Sequence, residues 1–373
     1  MTLEETPAKE MPWIRRTRHF VLTEPGDGPS STLPALSLLT GKPTDLSLAE
    51  VGELLGLSAR DWTWRLDETA VSLAHRGLVV SDEPAEPFEA LRRRDKELTA
   101  LGWQTEAARY HLASRWRGVH AAVRNPDGSR PPRRSRHGSP QPAFSERGGS
   151  RIALPDVERD SELYRVLRSR RTARSFEPKQ PVTADELSTL LRWVWGAHGV
   201  APLALGDTAL RKTSPSGGGL HPIEVYPIVR HADGVAPGIY HYRVRDHELE
   251  RLQTLTADAA RILLEHATSG QWYFAEADVA FVMTARFARS FWKYRRHAKA
   301  FRTLLLDAGH LSQTFYLVCT QLGLGPFVTA ALNDDELEQA LELDPLREAP
   351  LALCGCGRAP EQPGPLDPVF RPL

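Results

Sequence analysis

This sequence contains little cysteine, and its positively and negatively charged residues are equal in number. Only three of the 373 residues are cysteine, too few for a disulfide framework or for a zinc site built on thiolates. The 47 Lys and Arg residues balance 47 Asp and Glu residues, so the chain as a whole exerts no net attraction on nucleic acid or anionic membrane. No His and carboxylate cluster has metal-ligand spacing either. We therefore expect no metal site and no nucleic-acid partner.

Long hydrophobic runs are also missing. No segment approaches the roughly 18 apolar residues of a membrane span, and the first residues, MTLEETPAKEMPW, are acidic and lack an apolar signal core. We therefore expect no membrane partner and a cytoplasmic location. The chain also lacks the GxGxxG spacing of a dinucleotide-binding loop, a Walker lysine and a GxSxG turn. Dinucleotide-fold, phosphate-loop and hydrolase functions thus have no support.

A change in composition divides the chain into two predicted domains. Residues 124–151 are rich in Arg, Pro, Ser and Gly and nearly free of aliphatic side chains, which is typical of a flexible linker that buries no core. The alternative is an anion or nucleic-acid contact made by the arginines of this segment. We expect one domain over residues 1–123 and a second, with a C-terminal tail, over residues 152–373.

The first domain has the pattern of a small winged helix. Ser47 and Glu50 form a capping box at a helix start, and Gly77 suits the left-handed end of a second helix. The predicted elements in chain order are a strand over 13–22, a helix after Ser47, a helix over 66–76 and a strand over 78–80. The second helix lacks a run of Lys and Arg. Peptide binding or docking of a partner is therefore favoured over DNA binding.

Lys293 and Tyr294 form a pair in the second half of the chain that is suited to proton transfer. Neither side chain alone is a good base at neutral pH, but an ammonium beside a phenol favours the phenolate. Apolar residues then recur at three- and four-residue steps from Phe301 to Leu322, which predicts one long helix with a buried face. The pair is expected at the start of that helix. A solvated Lys and a half-buried Tyr without catalytic role are the alternative.

Six sequence strings carry a resemblance to a known family. They are RSRRTARSFEP at 168–178, KTSPSGGGLHPIEVYP at 212–227, GIYHY at 238–242, AGHLSQ at 308–313, LGLGPF at 322–327 and CGCGR at 354–358. Together with the Lys-Tyr pair, and in this order, they resemble the nitroreductase superfamily of flavin mononucleotide (FMN) enzymes. Within it they resemble the SagB-type branch, whose dehydrogenases oxidise azolines to azoles in peptide maturation.

The resemblance implies an α+β fold with a central, mostly antiparallel sheet flanked by helices, carried as a homodimer. It also implies the residues of an FMN site. The residues implied for the FMN phosphate are Arg170, Thr172, Arg174 and Arg358. Those implied for the flavin ring are Pro215, Ser216, Gly217 and Gly325. His310 and Gln313 lie one helical turn apart, and the sequence does not decide whether they have a structural role or belong to the site. The same holds for the C-terminal tail EQPGPLDPVFRPL.

The resemblance further implies a reaction. Tyr294, assisted by Lys293, would remove the Cα proton of a thiazoline or oxazoline in a modified precursor peptide, while hydride passes to flavin N5. A cyclodehydratase is a further candidate partner. Three alternatives stay open, and they are another flavin-dependent oxidation or reduction of a peptide, a general NAD(P)H-dependent nitro or quinone reductase, and a non-catalytic scaffold that binds a peptide.

Overall fold

The structure, a computed structural model, describes residues 12–22, 31–64, 67–121, 143–144, 148–149, 151–155, 160–177, 180–202, 208–294, 297–360 and 366. The chain forms two compact units. The first unit comprises residues 1–115, 286–305 and 344–348. The second comprises residues 116–285, 306–343 and 349–373.

Runs of strands and runs of helices follow one another along the described part of the chain. The strands are β1 (Trp13–Arg16), β2 (Phe20–Leu22), β3 (Thr32–Ser37), β4 (Pro43–Ser47), β5 (Thr63–Trp64), β6 (Val79–Ser81), β7 (Gly199–Pro202), β8 (Thr208–Arg211), β9 (Ile223–Val229), β10 (Gly238–Arg243), β11 (Glu248–Thr254), β12 (Val279–Arg286), β13 (Gly325–Thr329) and β14 (Glu348–Gly357). The helices are α1 (Leu48–Gly56), α2 (Glu68–His75), α3 (Phe88–Leu101), α4 (Thr105–Ser114), α5 (Glu162–Ser169), α6 (Ala184–Leu190), α7 (Ala257–Ala267), α8 (Trp272–Ala275), α9 (Phe287–Tyr294), α10 (Lys299–Gln321) and α11 (Asp334–Ala340).

The first unit contains two three-stranded sheets, β5-β1-β6 and β2-β3-β4, with α1 and α2 between their strands in the sequence. The predicted capping box is present, because the Glu50 amide donates to the Ser47 hydroxyl and Glu50 accepts from the Ser47 amide. Gly77 has the expected left-handed conformation, with φ of 71°. The winged-helix-like pattern predicts strand, helix, helix, strand, but the order found is strand, helix, strand, helix, strand, because the short strand β5 lies between α1 and α2.

One predicted strand of this unit is divided. We expected a single strand over residues 13–22, but β1 ends at Arg16 and β2 begins at Phe20. Between them Thr17 is fully buried, donates its hydroxyl proton to Asp95 at 2.6 Å and accepts from the His19 amide at 3.0 Å. This local turn places the two strands in different sheets, and the alternation of side chains alone does not reveal it.

Aromatic side chains hold α9 within the first unit. Trp103 lies 4.7 Å from Phe287 and 4.8 Å from Phe291, measured between ring centroids, and its indole nitrogen donates to the Leu346 carbonyl at 2.8 Å. His111 packs 5.0 Å from Phe287, and burial lowers the pKa of His111 to about 4. A neutral imidazole thus belongs to this aromatic cluster.

The second unit is organised around a six-stranded sheet of order β11-β10-β9-β12-β14-β13. The pairs β11-β10, β10-β9, β9-β12 and β14-β13 are antiparallel. Helices α7, α8 and α11 contribute buried apolar residues to the core formed with this sheet, including Leu264, Phe274 and Leu337. The predicted α+β class with a mostly antiparallel sheet is confirmed.

The linker predicted over residues 124–151 falls almost entirely outside the described residues, and the domain limits drawn from it stay a prediction. None of the described helices has the length and apolar character needed to cross a membrane. Within the same residues no group of three or more His, Cys, Asp and Glu side chains is placed to hold a metal. Cys319, Cys354 and Cys356 are buried thiols, and burial raises the pKa of Cys354.

Candidate flavin site in the second unit

The Gly-rich loop before β9 lies along α10. Ser214 shares a hydrogen bond of 2.6 Å with Thr314, and the Pro215 carbonyl lies 3.3 Å from Nδ1 of His310. The Ser216 hydroxyl donates to Asp307 at 2.5 Å. Asp307, His310 and Thr314 are spaced three and four residues apart and so share one helix face. Successive residues of the loop therefore contact successive turns of one helix.

Asp307 also fixes the backbone of this loop. It is only 4% exposed, and its second carboxylate oxygen accepts from the Gly217 amide at 3.0 Å. The loop then turns through Gly218 and Gly219, both left-handed with φ of 69° and 70°, a conformation that glycine adopts without steric penalty. The His221 amide returns to the Ser216 hydroxyl oxygen at 2.9 Å. The loop is thus closed by internal hydrogen bonds.

The segment with alternating Arg and Thr lies beside β13. The Ala173 amide donates to the Pro326 carbonyl at 2.8 Å, and this bond fixes its neighbours Thr172 and Arg174. Thr172 shares a hydrogen bond of 2.8 Å with the Tyr316 hydroxyl, and the guanidinium carbon of Arg170 lies 5.2 Å from the centre of the Tyr316 ring. Helix α10 therefore contacts this segment as well as the Gly-rich loop.

Gly325 is required by packing inside the chain. A Cβ added at this residue would lie 2.8 Å from the Ala173 Cβ and 2.7 Å from the Ala359 Cβ, closer than real Cβ atoms come. The sequence predicted that the glycine lets a flavin approach. That stays a prediction, and the structure shows a packing role for Gly325, which lets the Arg-Thr-Arg segment and the residue after Arg358 contact β13.

Arg358 has a partner that the sequence did not predict. Its Nη2 donates to both carboxylate oxygens of Glu186, at 2.9 and 3.0 Å. Glu186 also caps α6, accepting from the Thr183 amide at 2.9 Å. The Nε of Arg358 is buried and meets no hydrogen-bond acceptor in the described part of the chain. One strong donor of Arg358 is therefore left for an anion.

These residues fit the phosphate of FMN. The segment that carries Arg170, Thr172 and Arg174 and the segment that carries Arg358 meet at Gly325 through Ala173 and Ala359. Guanidinium forks with a hydroxyl are suited to a phosphate dianion. The unsatisfied Nε of Arg358 points to the same chemistry. If FMN binds here, these side chains would hold its phosphate, and the loop from Pro215 would meet its ring.

Lys293 and Tyr294 are placed differently from the prediction. We expected them at the start of the long helix, but they are the last two residues of α9, and α10 begins at Lys299. Lys293 is exposed, Tyr294 is half-buried, and the ammonium nitrogen lies 5.8 Å from the centre of the Tyr294 ring. Both belong to the first unit, whereas the residues predicted for FMN belong to the second.

Three residues of the second unit's site were not found from the sequence, namely Asp307, Thr314 and Tyr316. Of these three, only Asp307 could have been recognised from the sequence. It is a charged residue on the predicted buried face of α10, three positions after Leu304 and four before Leu311. Gln313 is exposed, and no hydrogen bond to its side chain is seen among the described residues. His310 contacts the loop through the Pro215 carbonyl.

Known proteins share this combination of sequence and fold. Residues 167–358 match the nitroreductase family. A protein of Methanocaldococcus jannaschii named as a nitroreductase, MJ1384, is 33% identical over 56% of this chain and 96% of its own. The trifolitoxin-processing protein TfxB of Rhizobium leguminosarum bv. trifolii is 34% identical over 46% of each chain. The microcin B17-processing protein McbC of Escherichia coli is 28% identical over 38% of this chain and 53% of its own.

The chain belongs to the nitroreductase family. The resemblance to the SagB-type branch is confirmed, because two of the relatives are named for the processing of peptides. The chain spans about half the length of each of those two. A solved structure of the E. coli microcin synthetase McbBCD complex, with truncated pro-MccB17 bound, shares the fold, with a TM-score of 0.54 and 21% identity over 71% of this chain and 97% of that chain.

Proposed function

We propose that this protein is an FMN-dependent oxidoreductase that oxidises azoline rings to azoles in a ribosomally made peptide. The observation that carries the proposal is that the segment of Arg170, Thr172 and Arg174 meets the segment of Arg358 at Gly325, while α10 contacts both the first of these segments and the Gly-rich loop. Those residues suit a flavin phosphate and ring, and the relatives named for trifolitoxin and microcin B17 processing favour a peptide as substrate.

FMN would supply the two-electron acceptor of this reaction. The chain's own part is proton removal and binding. Tyr294 would take the Cα proton of the azoline, and the Lys293 ammonium, which lies over its ring, would favour the phenolate that accepts it. Loss of this proton and of a hydride from the neighbouring carbon leaves an aromatic ring, whose stability drives the reaction.

The experiment is single-turnover reduction of FMN in the purified protein by an azoline-containing peptide. The wild type is expected to bind FMN, to show flavin absorption bands and to lose them when the peptide is added without oxygen. Tyr294→Phe and Lys293→Ala should retain FMN but reduce it about 10²–10⁴-fold more slowly. The double variant should be no slower than Tyr294→Phe, since the ammonium acts through the phenol.

Two results would contradict the proposal. If FMN does not bind after reconstitution, the protein does not use this cofactor. If Tyr294→Phe reduces FMN at the wild-type rate, Lys293 and Tyr294 have no part in catalysis. Tyr110→Phe is a suitable control, because Tyr110 is a 57% exposed tyrosine elsewhere in the first unit. It is expected to react at the wild-type rate.

A general nitro or quinone reductase is the second candidate. It is favoured by the relative named as a nitroreductase, of which this chain covers 96%. Rapid oxidation of NADH or NADPH with a quinone acceptor, together with no reduction of FMN by azoline peptides, would select this function. The reverse pattern would select peptide oxidation.

A further inference from the structure

Asp307 is a buried carboxylate whose partners are neutral. It is 4% exposed, and within the described part of the chain it forms hydrogen bonds with the Ser216 hydroxyl and the Gly217 amide but no ion pair. A buried charge without a counter-ion is unfavourable for folding, and the apolar residues Leu304 and Leu311 lie one helical turn before and after Asp307 on α10. A residue that is unfavourable for stability and holds a predicted binding loop is a candidate for a functional role.

Its effect on Ser216 follows from counting protons and lone pairs. A serine hydroxyl has one proton, and Ser216 donates it to Asp307 at 2.5 Å. The same oxygen accepts from the His221 amide at 2.9 Å, so one lone pair is left. Ser216 therefore has no proton to donate to a flavin ring. In this arrangement its side chain ties the two ends of the loop to α10.

Asp307 also holds the backbone of the loop at Gly217. Its amide donates to the other oxygen of Asp307 at 3.0 Å, so one carboxylate fixes two consecutive residues of the loop. Hydrogen bonds to an ionised acceptor are stronger than those to a neutral one. The left-handed residues Gly218 and Gly219 follow immediately and are thereby presented in one fixed direction.

We propose that Asp307 is a positioning residue of the flavin site, which fixes the Gly-rich loop and places a negative charge behind it. The inference rests on the proposed binding of FMN. It has two consequences. Without the carboxylate the loop loses its fixed form and FMN binds more weakly, and without the negative charge the bound flavin accepts electrons more readily, so its reduction potential rises.

The first measurement needs no cofactor. Amide hydrogen exchange over residues 214–221 is compared in cofactor-free wild type, Asp307→Asn, Ser216→Ala and Asp258→Asn. Asp258 is an exposed aspartate on α7 of the same unit and serves as the control. We expect faster exchange over the loop in Asp307→Asn, faster exchange at the His221 amide in Ser216→Ala, and wild-type exchange in Asp258→Asn.

The second measurement is made on the same proteins with FMN. Asp307→Asn is expected to raise the dissociation constant of FMN by about tenfold or more, the size of a lost charge-assisted hydrogen bond. It should also shift the midpoint potential of bound FMN to a more positive value. Ser216→Ala keeps the carboxylate and should shift the potential less than Asp307→Asn does, a distinction that loss of packing alone would not produce.

The outcomes separate the two proposals. Wild-type exchange or wild-type FMN affinity in Asp307→Asn overturns the positioning role, as does weaker binding with an unchanged potential, which leaves only a structural role. If Asp307→Asn does not fold, Ser216→Ala decides, and unchanged exchange at His221 with unchanged FMN affinity overturns the inference. If the wild type itself binds no FMN, the proposed function fails. That case is distinct, because the exchange data on cofactor-free protein still report whether Asp307 fixes the loop.

Discussion

At the scale of single residues, the arginines carry the cofactor hypothesis. Arg170 and Arg174 flank Thr172 and Ala173, and the Ala173 amide holds all four beside β13. Each guanidinium that meets a phosphate contributes a charge-assisted contact of roughly 1.5–3 kcal/mol.

We predict that Arg170→Ala and Arg174→Ala each weaken FMN binding about 10- to 100-fold while the protein stays folded, measured by fluorescence titration of FMN. Arg243→Ala is the control, because Arg243 is an exposed arginine on β10 that pairs with Asp246. Unchanged affinity in both test variants would place the phosphate elsewhere.

Asp278, directly before β12, gives a prediction about pH. Burial raises the pKa of Asp278 to about 6, although Arg230 and backbone hydrogen bonds from Val182 and Arg358 oppose the shift. In the unfolded chain the carboxyl titrates near ~3.9. Between these values the folded protein binds more protons than the unfolded one. The stabilising contribution of Asp278 is therefore complete below about pH 4 and is lost as the pH rises through about 6.

We predict that Asp278→Asn becomes more stable relative to wild type as the pH rises from 4 to 7, by about 1–3 kcal/mol in the free energy of unfolding. Urea unfolding at several pH values measures this. A difference between the two proteins that is the same at pH 4 and pH 7 would contradict the raised pKa. Asp258→Asn, at an exposed position of α7, is the control.

At the scale of elements, β13 depends on a glycine contact. Gly325→Ala would drive a methyl group into the Ala173 and Ala359 side chains. Gly309, on α10, has nothing within 4 Å of an added Cβ. The same substitution thus meets opposite environments at the two positions.

We predict that Gly325→Ala lowers the free energy of unfolding by about 1–3 kcal/mol, because overpacking displaces the strand or the segment beside it. Gly309→Ala should raise it by up to about 1 kcal/mol, the helix propensity difference between the two residues. Thermal or urea unfolding measures both. Equal effects at both positions would mean that the contact around Gly325 relaxes without loss.

At the scale of the whole molecule, exposed apolar side chains on and near α5, in the described part of the chain, favour the expected homodimer. Helix α5 buries none of its residues, yet Leu163 and Leu167 are 64% and 45% exposed on it. Nearby in the sequence, Ile152 and Leu154 are 88% and 86% exposed. Exposed apolar groups in such number are typical of a surface that another chain covers.

We predict that the wild type is a dimer by analytical ultracentrifugation and that Leu163→Glu with Leu167→Glu shifts it toward monomer. Ile262→Glu, at a 47% exposed position of α7, should leave the dimer intact. A wild type that sediments as a monomer at micromolar concentration would contradict the dimer, and a dimer unaffected by the double change would place its interface elsewhere.

The sequence by itself determined the features that depend on residues close along the chain. The capping box of Ser47 and Glu50, the left-handed Gly77 and the apolar face of α10 each follow from side chains within a few positions of one another. The ordered motifs were also sufficient for the nitroreductase family and its α+β class, since several short strings in a fixed order identify a family that each string alone does not.

Only the tertiary structure decided which distant residues meet. Asp307 reaches Ser216 across 91 positions, and Arg358 reaches Glu186 across 172. Gly325 lies between Ala173 and Ala359, so its lack of a side chain serves a contact that local pattern cannot reveal. The physical reason is that periodicity and capping are set by local geometry, whereas such contacts depend on how the sheet order and the path of α10 bring remote segments together.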